Sequence, residues 1–252
     1  NFPGVNIMHE GAGNCYVGKN MAGGTLAIFP DRDSPAAYQP EDNAAITNLS
    51  LFGATGGKLY LWGGAGERFM LRNSGASAMV VGDLGAYAAE YMARGSLIVV
   101  GEVGPNFGQK MTGGIAAIYD PQDKFRAPED TEIMKISDFP DGRKTRERGR
   151  DWEVENSRMF QVIQDELATF IKLTQAQGGG KECQAAKDLL ANLPEEIGKF
   201  KFVVPKGMSL SLTQDKYDAI LSSFSGLPTS PLEDKMMQIY GDRDTVQKGL
   251  GV

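Results

Sequence analysis

The feature that most constrains this chain is a short apolar strand with flanking glycine that returns every 19 residues. It reads GKLYLWG at 57–63, ASAMVVG at 76–82, GSLIVVG at 95–101 and GIAAIYD at 114–120. A fifth copy, GTLAIFP at 24–30, lies 33 residues before the 57–63 copy, which is one period plus a 14-residue insertion over 31–44. Gly66, Gly85 and Gly104 keep the same step, as do Gly56 with Gly75 and Met92 with Met111. A fixed period near twenty with turn glycines in each unit is the signature of coils that stack and bury their faces on one another. The expected fold is all-β: a single-stranded right-handed parallel β-helix with coils of about 19 residues, occupying residues 1–120.

Side chains alternate across a strand, so each copy can be divided into two faces. Leu26, Ile28, Leu59, Leu61, Ala78, Val80, Leu97, Val99, Ala116 and Ile118 share one face, and all are aliphatic. They form the expected interior stack. The opposite face carries Tyr60, Trp62, Met79, Val81, Ile98, Val100 and Tyr119, which is equally apolar and more aromatic. A water-facing sheet would be polar there, so this ladder requires a cover, either the chain's own later helices or a partner.

Composition divides the chain at the same place. Of its 32 glycines, 21 fall within residues 1–120, and the remainder of the chain is charge-rich. The net charge of −6 with a pI near 5.0 argues against a nucleic-acid partner, since no broad basic face compensates. The one basic cluster, RKTRERGR at 143–150, reads as a solvated linker. No apolar run is long enough to span a bilayer and no secretory signal pattern is present, so a cytoplasmic protein without a membrane role is expected. Cys15 and Cys183 provide neither a disulfide framework nor metal spacing, and with His9 as the single histidine a built-in zinc site is not expected.

The glycine-rich string at 11–24 meets neither the dinucleotide fingerprint nor the phosphate-loop spacing; its glycines suit coil corners and close backbone approach. Two corner segments concentrate polar groups. Residues 66–75 hold Glu67, Arg68, Arg72 and Asn73, and residues 85–95 place Glu90 and Arg94 four apart. Structurally, Glu67 and Arg68 would anchor a corner, Asn73 would cap a turn, and Glu90 would meet Arg68 or Arg72 one coil away. Functionally, Arg68 and Arg72 would dock a carboxylate or a partner. With Tyr60 and Trp62 of the aromatic ladder, these are the candidate contact residues. No nucleophile with a nearby base is legible, and no catalytic, cofactor-binding or metal-ligating residue is assigned.

Past Asp120 the period stops. Residues 121–155 read as a linker or wrapping arm with a short strand at 133–136, and 156–252 as a helical region. A helix following a cap at Asn156 or Ser157 carries Phe160, Ile163, Leu167 and Phe170 on one stripe and ends at the glycines 178–180. Further helices are expected at 181–193, with Cys183 as a core thiol, at 214–224 and at 231–240, with an extended segment at 200–205.

The phrases NLSLFGATGG at 48–57, AGERFMLRNSGA at 65–76, EYM at 90–92 and GPNFGQKMTGG at 104–114 resemble the C-terminal glycine-repeat β-helix of glutamate synthase large subunits. That domain also occurs as a separate subunit in related complexes and, more distantly, as the third subunit of formylmethanofuran dehydrogenases. One departure is local: the family commonly places His and Cys after the Gly-Asp of the third coil, whereas GDLGAYAAE at 82–90 has neither. The resemblance implies a non-catalytic scaffold within a multi-subunit oxidoreductase or amidotransferase complex. Glutaminase-like and synthase-like partner subunits, the latter with FMN and an iron–sulfur cluster, would then carry the chemistry. Two other classes fit the residues: an amide- or formyl-transfer enzyme working through Glu67, Arg68 and Asn73, and a small-molecule or sugar-binding solenoid.

Overall fold

In the computed structural model, which describes residues 3–35, 38–142, 157–177 and 182–225, the repeated phrases form parallel strands of one sheet. In chain order the strands are β1 (Asn6–Glu10), β2 (Ala22–Phe29), β3 (Ala44–Ile46), β4 (Gly56–Trp62), β5 (Gly64–Ala65), β6 (Ser74–Val81), β7 (Arg94–Val100) and β8 (Ile115–Tyr119). β1, β2, β4, β6, β7 and β8 pair in that order, one strand per coil, while β3 and β5 form a short second ribbon that continues through bridges from Ala65 to Leu84 and on to Val103. The protein is a parallel β-solenoid.

Register follows the sequence period. Leu59 pairs with Leu26 and Ala78, and Leu97 with Ala78 and Ala116, so equivalent residues stand directly above one another. This ladder and its neighbour through Ile28, Leu61, Val80, Val99 and Ile118 are buried in an interior core with Met21, Leu51, Phe69, Met70, Met92 and Phe107.

The corners opposite the strands obey an equally strict rule. Residues 68, 70 and 72 are left-handed, with φ of 57°, 58° and 55°, and the pattern recurs one coil later at Tyr87, Ala89 and Tyr91. A left-handed conformation costs a non-glycine residue about 1–2 kcal/mol. The offset is inter-coil hydrogen bonding: Arg68 N–H donates to the Ala86 carbonyl at 2.8 Å, Met70 to Ser50 at 2.9 Å and Arg72 to Glu90 at 2.9 Å. Alternation of handedness therefore turns successive N–H groups toward the coil on either side, and the corner becomes a second ladder beside the sheet.

The aromatic face of the sheet is covered by the chain itself. A long helix, α1 (Arg158–Gln177), presents Phe160, Ile163, Leu167 and Phe170, all buried, with Ile171 half-buried at the margin. They pack in one cluster with Phe29, Tyr60, Trp62, Met79, Val81 and Ile98 of the sheet, joined by Ala186 and Leu189 of α2 (Gln184–Ala191) and Leu193 of α3 (Leu193–Glu196). Each such side chain removed from water contributes about 1.5–3 kcal/mol. The helix expected at 181–193 is thus two shorter ones, because Pro194 suits the first turn of a new helix and not the interior of an old one.

The sheet also runs beyond residue 120. β9 (Thr131–Met134) replaces the strand expected at 133–136, and β10 (Phe200–Pro205) inserts antiparallel between β8 and β9, closing that end of the stack. A single turn, α4 (Met208–Ser211), and α5 (Gln214–Ser223) follow; Thr213 caps α5 by accepting the Lys216 N–H. Tyr217 of α5 stacks on Phe139 with ring centroids 5.2 Å apart, which fastens this helix to the same core. The basic cluster 143–150 and the helix expected at 231–240 lie outside the described residues.

A Cβ on Gly95, where φ is +94°, would sit 2.1 Å from the Ala76 carbonyl oxygen and 2.5 Å from the Asn73 amide nitrogen. Gly95→Ala should therefore lower unfolding stability by about 3 kcal/mol or more, read as a fall in the urea midpoint; an unchanged midpoint would contradict the coil contact.

Lys201 of β10 lies 2.7 Å from Asp120 and 2.5 Å from Asp123, tying the added strand to the last coil. Burial acts to raise the Asp120 pKa, but hydrogen bonds from Lys201 and from the backbone of Lys124 and Phe125 outweigh it and hold the carboxyl below its ordinary value. Burial likewise acts to lower Lys201, and the two carboxylates outweigh that, leaving it raised. The Asp120 contribution is thus present above the unfolded carboxyl pKa of about 3.9 and lost as pH falls through its lower folded value. The Lys201 contribution is complete below about pH 10.4 and lost as pH rises through its higher folded value. Lys201→Met should cost about 2 kcal/mol at neutral pH and flatten the acid limb of the stability profile, whereas an acid limb as steep as the parent's would count against the pairing.

Candidate functional site at the coil corners

The corner candidates divide into residues that hold backbone and residues that face water. Asn73 is buried; its amide nitrogen donates to the carbonyls of Ala76 at 2.9 Å and Arg94 at 2.7 Å, and its oxygen accepts the Ala76 N–H at 3.1 Å. It therefore closes its own turn and grips the next coil with every polar atom it has. Glu67 is exposed, and its backbone N–H donates to the Asn48 side chain at 2.9 Å. Arg94 is exposed at the start of β7 and lends its carbonyl to Asn73.

Arg68 and Arg72 point outward from the left-handed positions. Arg68 Nε is 3.8 Å from the Glu90 carboxylate, and its guanidinium lies over the Tyr87 ring at 5.6 Å. Arg72 lies over the Tyr91 ring at 5.8 Å. Near the first coil, Lys19 sits 4.9 Å from the Tyr16 ring centroid and 5.8 Å from that of Phe52. The corner is thus a stripe of cations resting on aromatic rings, an arrangement that holds a charge in place while leaving its N–H donors turned to solvent. The tyrosines were not singled out in the sequence, although the signal was there: Tyr87 and Tyr91 stand one 19-residue step from Arg68 and Arg72.

Tyr60 and Trp62 lie elsewhere, beneath the helical cover. Tyr60 donates to Glu166 of α1 at 3.0 Å, beside a 2.6 Å ion pair between Lys58 and Glu166. Burial, reinforced by the Glu166 charge, drives the Tyr60 phenol pKa upward, so it stays protonated as a donor. Trp62 donates to Glu41 at 3.0 Å, which latches the insertion onto the sheet. Sequence periodicity carries no signal for Glu166 or Glu41, since both pairings are long-range. Cys183 is buried with its thiol 3.4 Å from Glu41, and burial raises its pKa, which keeps it an unreactive core thiol. The His9 ring lies 3.3 Å from the Ala12 carbonyl. Among the described residues no cluster of three or more His, Cys, Asp or Glu is arranged to hold a metal ion, and no helix is long and apolar enough to cross a membrane.

Fold and corner chemistry together define a glycine-repeat β-solenoid whose polar corner groups serve largely to bind coil to coil. The sequence matches the family described as GXGXG motif over residues 1–206, and the chain belongs to that family. It is 37% identical over 204 residues, 81% of this chain, to a glutamate synthase [NADH] from Schizosaccharomyces pombe. It is 46% identical over 134 residues, 53% of this chain, to a ferredoxin-dependent glutamate synthase from Spinacia oleracea, and 36% identical over 205 residues, 81% of this chain, to one from Synechocystis. The matched region spans 8%, 8% and 12% of the length of these relatives, in that order.

The two groups of corner residues should separate on substitution. Asn73→Ala removes the partner of the buried Ala76 carbonyl and N–H and of the part-buried Arg94 carbonyl, and should cost about 3 kcal/mol in a denaturant titration. Arg68→Ala, at an exposed position, should cost under about 1 kcal/mol. Equal losses would contradict this division.

Proposed function

We propose that this chain is a non-catalytic scaffold subunit of a glutamate-synthase-like oxidoreductase or amidotransferase complex, packed between subunits that carry the chemistry. The observation that carries this reading is the occupation of Asn73. The most buried polar side chain among the corner candidates spends its hydrogen bonds on backbone of two coils, and so is not presented to a substrate. Tyr60 and Trp62 are likewise bonded to Glu166 and Glu41 of the same chain. The family membership supports the glutamate-synthase-like context, and the small share of each relative that the match spans fits a scaffold element within a much larger catalytic assembly. On this reading the partners are glutaminase-like and synthase-like subunits, with FMN and an iron–sulfur cluster in the latter, and the third subunit of formylmethanofuran dehydrogenases is a distant version of the same arrangement.

Coils held at strand and corner alike make a rod that resists bending, which suits fixing the spacing of partners bound on different faces. Native purification followed by intact-complex mass and an absorbance spectrum tests the proposal. The expected result is a stable hetero-complex whose flavin and iron–sulfur absorbance leaves with the partner when the subunits are separated, and no glutamine-dependent glutamate formation by the isolated chain. Turnover by the chain alone, or its isolation without partners from the native source, would overturn the reading.

A further inference from the structure

We infer that the corner stripe formed by Lys19, Arg68 and Arg72 with Tyr16, Tyr87 and Tyr91 is a docking surface for an acidic segment of a protein partner. This rests on the scaffold reading and adds to it the face that is used and the chemistry of what it meets. The stripe is built into the fold. Left-handed backbone at residues 68, 72, 87 and 91 throws these side chains outward in pairs, and the in-register stacking brings each arginine onto the tyrosine of the next coil. Resting on a ring, a guanidinium keeps its position without using up its N–H donors, and Arg favours carboxylates through two parallel hydrogen bonds.

The balance of charge along the stripe is specific. Arg68 is half exposed and meets Glu90 only at 3.8 Å, and that carboxylate is largely buried behind it. Arg72 and Lys19 have ring contacts and no carboxylate within ion-pair distance among the described residues. Glu67 is the exposed carboxylate within the stripe. Farther along, Tyr91 borders a cleft that holds Glu129, Lys206 and the 3.3 Å pair between Lys110 and Asp130, so past Arg72 the surface carries both signs of charge. On a chain of net charge −6, Arg72 and Lys19, together with Arg68 held at 3.8 Å from Glu90, stand beside the exposed rings of Tyr16 and Tyr91 and are complementary to an extended run of Glu or Asp. The tyrosine rings add contact area at low entropic cost.

A fluorescein-labelled hexaglutamate peptide titrated into the full chain and followed by anisotropy tests the surface. Binding is expected in about 50 mM salt and should weaken at least about tenfold in about 500 mM salt, where the Debye length falls to a few Å. Arg72→Glu and Arg68→Glu should each weaken it about tenfold, while Lys172→Glu, an equal charge change on the exposed side of α1, should leave it unchanged. Arg72→Asn, whose side chain tolerates the left-handed φ of 55°, removes the cation with the fold retained by circular dichroism and should weaken binding similarly. Absence of binding at low salt, or equal losses from Lys172→Glu and Arg72→Glu, overturns the inference. A chain that ignores the peptide yet still assembles into a flavin-bearing complex overturns the surface alone; one that binds the peptide through Arg72 but catalyses turnover unaided overturns the scaffold reading alone.

Discussion

Every feature of this molecule depends on hydrogen bonding between successive coils along two lines at once. The first is the parallel sheet, where a strand of each coil pairs in register with the next. The second is the corner, where left-handed residues turn N–H groups alternately up and down the stack, so that Ala89 donates back to Phe69 while Tyr91 donates forward to Gln109. Either line alone would let a coil hinge about it. Together they fix the 19-residue repeat as a geometric unit: a residue added within a strand or a corner would break register, whereas the insertion at 31–44 leaves the stack between them and both lines stay paired across it.

With the coils fixed, the two faces of the sheet have different obligations. The inner face is satisfied within the stack, aliphatic on aliphatic. The outer face cannot be, and the chain answers with the Phe160–Phe170 stripe of α1 and with the half-buried carboxylate of Glu166, which orients Tyr60 and neutralises Lys58 at the rim of the same contact. What is left for other molecules is the corner, which no described helix covers. There the sequence can vary what it displays while the backbone pattern stays constant, and this chain displays cations backed by rings.

Much of this was legible in the sequence, for identifiable reasons. The strands, their facing and their register all follow from one period read against the two-residue alternation of a strand, and the resemblance to the glycine-repeat β-helix rested on the same residues. Asn73 as a turn cap and Glu90 near Arg68 could be named because the period places the segments 66–75 and 85–95 at the same corner of adjacent coils. The cover was legible only as a requirement: an apolar outer face demands something, and the stripe on α1 could supply it. The insertion of β10 between β8 and β9 was not legible, since a six-residue apolar segment 80 residues beyond the last repeat has no periodic partner to announce its pairing. For the same reason the Trp62–Glu41 and Tyr60–Glu166 bonds escaped, and with them the finding that these aromatics serve the chain's own packing.

The claim that the corner is a second structural ladder, and not a set of loops, is open to direct measurement by amide hydrogen exchange on the native chain. The corner donors Arg68, Arg72, Tyr87 and Tyr91 should exchange as slowly as amides within β4, β6 and β7, opening only with the whole stack. If they exchange orders of magnitude faster than the strands, as surface loops do, the coils are joined along the sheet alone and the rigid rod on which the account rests does not exist.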